Sequence, residues 1–138
     1  MKDNSDYLVM FFIMLISGLF STMNVWVDKY EDIRLSLNDI YMILLMTGWM
    51  FLLTGIYYKK YKVLVIGLIL VLINLWAIRT QFMVSSKQYF LGMIPHHSMA
   101  IHMSKKLVEN YPSKYDSFAK AIIDTQEREI EYIKSQFP

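Results

Sequence analysis

The chain has 138 residues, of which 55% are hydrophobic and 19% charged, with a formal net charge of +2 and no cysteine. That composition excludes a disordered chain, and the missing thiols exclude disulfide frameworks, thiolate metal sites and cysteine nucleophiles. No basic run is long enough to suggest nucleic-acid binding.

The charge is unevenly spread. Residues 7–27, 40–58 and 63–78 hold almost none, and each reads as a membrane span. At 1.5 Å per residue about 20 apolar residues cross a ~30 Å hydrocarbon layer. The first stretch reads as an uncleaved span rather than a signal peptide. It is long, it starts with Asp3 and Asp6 beside a single Lys2, and no small-x-small cleavage site follows. The third continues towards Met83, with Arg79 able to reach the interface. Lys59-Lys60-Tyr61-Lys62, between the second and third spans, belongs on the cytoplasmic side. The acidic surplus of Asp28–Arg34 places that loop outside, so the N-terminus is expected in the cytoplasm and residues 84–138 beyond an inner or plasma membrane. Met10, Met14, Met42, Met46 and Met50 read as flexible apolar filler, and Asn74 as an interhelical hydrogen-bond donor. No span carries an acid or base of the kind that ion pathways use, so a transporter is not expected.

Residues 84–111 and 113–137 both show helical periodicity, interrupted by Asn110 and Pro112, and Ser113 with Asp116 resembles a capping box. The reading is an antiparallel helical hairpin. On the first helix Phe90, Met93, His96, His97, Ala100, Ile101, Met103 and Leu107 share one broad face, with His96, Met99 and Met103 at i, i+3, i+7 and Met93 and His97 at i, i+4. Pro95 marks a helix start or a kink. The second helix has an apolar face running from Tyr115 to Phe137, within which Gln126 and Glu129 stand out. A carboxylate there must be paired, protonated or coordinated, and its natural partner is a histidine across the hairpin. Thioethers with imidazoles and no thiolates favour copper, Cu(I) especially. There is no H-E-x-x-H, no di-iron Glu-x-x-His pair, no Ser-His-Asp arrangement and no phosphate loop, so an enzyme is not expected.

Phe90-Leu91-Gly92-Met93-Ile94-Pro95-His96-His97-Ser98-Met99-Ala100-Ile101-His102-Met103 resembles the signature of the family of unknown function 305, and Gln126-Glu127-Arg128-Glu129-Ile130 matches the pattern on its second helix. The resemblance covers about residues 86–137. It implies a ferritin-like helical fold associated with copper binding and copper tolerance. Carried over, it implies metal roles for Met93, His96, His97 and Met103, with Gln126 and Glu129 in support. Met99 and His102 fall on variable positions, so Met99 enters the metal set on spacing alone. Ile133 stands where many relatives have methionine, and relatives typically carry two hairpins where this chain has one.

The expectation is therefore an all-α membrane protein with a three-span region over residues 1–83 and an extracytoplasmic hairpin over 84–138. Two short helices bury too little surface to stand alone, so a homodimer should complete a four-helix bundle. The expected function is copper buffering, tolerance or handover, with a possible metal-handling partner protein. The alternative is a non-enzymatic structural or regulatory subunit whose hairpin mediates oligomerisation. The sequence leaves open whether the third span and the first outer helix form one rod through Met83–Ser86.

Overall fold

The computed structural model describes residues 4–137, so Lys2, Asp3 and Pro138 lie outside the described residues. Among these, the chain forms five α-helices and no strand: α1 (Asn4–Leu19), α2 (Leu37–Tyr57), α3 (Tyr61–Thr80), α4 (Ser86–Asn110) and α5 (Asp116–Gln136), with 3-10 turns at Met23–Trp26 and Tyr30–Asp32. Ser5–Trp26, Leu37–Tyr57 and Tyr61–Thr80 are long and apolar enough to cross a membrane. By contact the chain divides into two units. One holds the residues up to Thr22 with Leu37–Val84, and the other holds Met23–Ser36 with the residues from Ser85 on.

In the first unit α2 and α3 are joined by a tight turn with Lys59 in the left-handed region (φ 53°). Lys59 N–H donates to the Ile56 carbonyl and Lys60 N–H to that of Gly55, the paired bonds that end a helix in a Schellman motif. The helices then pack at backbone distance. A Cβ on Gly67 would run into the Leu52 backbone, and one on Gly55 into that of Leu64. Small residues allow this approach, and van der Waals packing drives helix association where lipid offers no hydrophobic gain. We expect Gly67→Val to lower the unfolding free energy in detergent by about 2 kcal/mol, the overpacking cost; an unchanged denaturation midpoint would contradict the close approach. Asn74 is buried, but its amide donates to the Leu70 carbonyl of its own helix at 2.8 Å, so the interhelical bond expected of it is replaced by back-bonding. Helix α1 is mostly exposed and meets α2 where Gly18 faces Ile43 and the Phe11 and Phe51 rings lie 6.2 Å apart.

No continuous rod joins α3 to α4. Gln81 (φ 50°) and Met83 (φ 55°) take left-handed conformations, and Ser85 opens α4 by accepting the Gln88 N–H at 3.3 Å. Helix α4 then runs through Pro95, whose missing N–H leaves the Leu91 carbonyl without its usual helical donor. It stops at Asn110, ahead of Pro112. Before α5, Ser113 N–H donates to Asp116 Oδ1 at 2.9 Å, one half of the expected capping box, while Ser113 Oγ accepts the Tyr115 N–H at 3.2 Å rather than that of Asp116.

The second unit is built on α4 against α5. Ile94 and Ile101 meet Ile130 and Ile133, with Phe90, Met93, Ile123 and Phe137 packed around them, and the Phe90 and Phe137 rings stack at 5.1 Å. The start of α4 therefore lies beside the end of α5. Residues 23–36 cluster with these helices; the sequence places only 28–34 in the loop and runs the first span to Val27, but α1 stops at Leu19 and Met23–Trp26 turns as a 3-10 helix. Asn24 holds that segment's shape by donating to the Arg34 carbonyl at 2.7 Å and accepting the Arg34 N–H at 2.9 Å.

Candidate metal site on the C-terminal helices

The buried residues of α4 are Ile94, Pro95, His97, Ser98, Ile101 and Ser104. This row is turned about one residue from the expected face, because two surfaces press on α4 rather than one. Helix α5 covers Ile94, His97 and Ile101, while the 23–36 segment reaches Ser98 and Lys105. His97 thus turns inward and is 8% exposed, whereas its neighbour His96 faces outward, their rings 5.8 Å apart.

His97 Nδ1 lies 3.2 Å from Glu129 Oε2. The contact is not a hydrogen bond, since the buried Nδ1 has no hydrogen-bond partner. A buried nitrogen without a partner is costly unless a ligand supplies one. The spacing suits two donors of one metal ion: at bonds of about 2 Å and near-tetrahedral angles, ligand atoms stand roughly 3.3 Å apart. Both side chains line an open cavity of about 540 Å³ together with Met93, Arg128 and the aromatic rings of Tyr89, Phe90 and Tyr132. One imidazole, one carboxylate and one thioether therefore share a space. The other expected ligands do not join them. His96 and Met103 are exposed, and Met99 and Gln126 are half-buried away from the cavity lining. Among the described residues no three His, Cys, Asp or Glu side chains converge as a metal-binding group.

Burial pushes the His97 imidazole below the ordinary histidine pKa. Glu129 opposes the fall and His96 adds to it. Glu129 is half exposed, so water weakens its pull. Folding therefore favours neutral His97. In the window below about pH 6.5 the unfolded chain binds more protons, and stability declines as pH falls until the folded value is passed. We expect the wild-type denaturation midpoint to drop between about pH 7.5 and about pH 5 by more than that of His97→Gln. Equal drops would contradict a buried neutral ring.

Sequence reasoning missed a buried polar network on the other side of α4. Asp32 is 2% exposed and Ser98 fully buried. Ser98 Oγ donates to Asp32 Oδ2 at 2.6 Å and accepts the Asp28 N–H at 2.9 Å. Lys134 Nζ lies 2.6 Å from Asp32 Oδ1, and Lys105 Nζ 2.7 Å from Asp28 Oδ2 and 3.5 Å from Glu127. The hydrogen bond to Asp28 holds the Lys105 ammonium above the ordinary lysine value. The available signal was the acidic surplus of residues 28–32 set against Lys105 and Lys134 on the two helices.

The domain of unknown function DUF305 matches residues 76–136. The chain is 42% identical over 139 aligned positions to the uncharacterized protein L153 of Acanthamoeba polyphaga mimivirus, an alignment covering 96% of this chain and 91% of that protein. No solved structure matches the chain.

Proposed function

The C-terminal part of the chain, residues 76–136, belongs to the DUF305 family, and on that premise we propose that the protein is a membrane-anchored, extracytoplasmic copper-binding protein serving metal buffering, tolerance or handover. The observation that carries the reading is the buried, unpartnered His97 Nδ1 beside Glu129 on a cavity that Met93 also lines. Imidazole and thioether suit Cu(I). The carboxylate, a harder donor, widens the range towards Cu(II). His97 and Met93 would hold the ion, Glu129 would offset its charge, and exposed His96 would meet it first from solvent. Met99, Met103 and Gln126 belong to this reading only as outer groups on the same two helices. Because imidazole binds metal when neutral, a lowered His97 pKa keeps the site available in mildly acidic surroundings.

The antiparallel hairpin of α4 and α5 would be completed by a second copy. Met103, Leu107, Tyr115 and Phe118 are exposed at the end of the helix pair away from the stacked Phe90 and Phe137. An apolar surface of that kind marks an interaction site, and a homodimer would bury it in a four-helix bundle. The positive turn at Lys59, Lys60 and Lys62 supports a cytoplasmic N-terminus. The grouping of residues 23–36 with the C-terminal helices supports their lying on one side of the membrane.

Titration of the full-length chain with Cu(I) and, separately, Cu(II) against a competing chelator tests the proposal. One tightly held ion per chain is expected, and no retention of either ion would overturn it. A second reading has its own observation: among the described residues one chain gathers a single imidazole and a single carboxylate at the cavity. On that reading His97 and Glu129 are a buried polar contact in an oligomerising subunit. It predicts the same oligomeric state with or without metal, and in His97→Ala.

A further inference from the structure

Two adjacent histidines point in different directions from α4, and a rotation of one residue, 100° about the helix axis, would exchange them. Something must fix that rotation. The isoleucine row alone does so weakly, because hydrophobic contact is non-directional. The polar bonds on the opposite flank are directional. Ser98, the residue after His97, is bound at its hydroxyl by Asp32 and by the Asp28 N–H. Seven residues on, in the same helical row, Lys105 is bound by Asp28. Asp32 also reaches across to Lys134, on the helix that carries Glu129. One carboxylate therefore ties α4 to α5, one residue from His97 and five from Glu129.

We infer that Asp32, Ser98 and Lys134 are positioning residues of the His97 site, and that the segment joining α1 and α2 is a strap that selects His97 rather than His96 to face Glu129. No residue of the strap lines the cavity. The strap acts by locking α4 in rotation and register against α5, and it makes the segment between the first two candidate spans part of the binding unit. The metal role of His97 rests on the function proposed above; the rotational lock does not.

The test uses the full-length chain and needs no metal for its main arm. Diethyl pyrocarbonate modifies accessible imidazoles, and peptide mass analysis gives separate rates for His96 and His97, so the exposed ring is an internal standard. In the wild type His97 should react at least about ten-fold more slowly than His96, as expected for a residue that is only 8% exposed. In Asp32→Asn/Ser98→Ala the two rates should converge to within about three-fold with helicity retained, while Lys134→Arg keeps the wild-type ratio and Lys134→Met does not. A folded double variant with the wild-type ratio overturns the inference. Should the double variant lose helicity, Ser98→Ala alone decides: its ratio must fall at least about three-fold, and an unchanged ratio overturns the inference. In a second arm, Cu(II) bound to Lys134→Met should show a changed absorption spectrum that Lys134→Arg does not. A wild type that binds no copper sinks the proposed function and leaves the rate comparison standing.

Discussion

Alanine at His97 is expected to weaken copper binding by at least about 100-fold, while alanine at His96 costs less than about ten-fold, the scale of an outer-shell group. The asymmetry follows from placement. His97 is 8% exposed and shares its cavity with Met93 and Glu129, whereas the His96 ring faces solvent. A site held by His97 and Met93 would lose its imidazole in the first variant and only a solvent-facing neighbour in the second. His97 lines an open cavity, so truncation should leave helicity unchanged. Competition against a chromophoric Cu(I) chelator measures both variants. Equal losses would mean that α4 presents both rings to the ion.

Alanine at Asp32 should destabilise the helix pair by about 3 kcal/mol, the low end for breaking a buried ion pair from one side. Its carboxylate is 3% exposed and satisfies both the Ser98 hydroxyl and the Lys134 ammonium. Removing it strands the fully buried Ser98 donor and leaves the Lys134 ammonium only the exposed Glu31 carboxylate at 3.4 Å. Glu109→Ala is the control: its pair with Lys106 has both side chains more than half exposed, and the change should stay within about 0.5 kcal/mol. Denaturant unfolding of the full-length chain in micelles reads both. An Asp32→Ala effect as small as the control's would mean that the 23–36 segment does not bear on the fold of α4 and α5.

Short-range signals were the legible ones. The three apolar stretches stand out because charge vanishes over them. The end of α4 at Asn110 and the Ser113–Asp116 capping bond follow from local chemistry within four residues. The nearness of His97 to Glu129 was legible from the hairpin, but the reason expected for it was not the right one, since Glu129 is half exposed and water can solvate it. The rotation of α4 was not legible. A helical wheel counts apolar residues and so centred the face near Met93 and His96. The true row includes Ser98 and Ser104, polar positions covered in a unit that also contains residues 23–36. The bonds from Asp28 and Asp32 to Ser98 span 70 and 66 residues, and no local pattern encodes them. Asn74 shows the same limit, because its amide bonds a carbonyl of its own helix.

The central claim is that His97 and Met93 hold a copper ion beside Glu129. X-ray absorption at the copper edge of the Cu(I)-loaded full-length chain tests it most directly. The account predicts both nitrogen or oxygen and sulfur neighbours in the wild type, with the imidazole signal lost in His97→Ala and the sulfur signal lost in Met93→Leu. A wild-type spectrum that neither substitution alters, or a protein that retains no copper to measure, would contradict it.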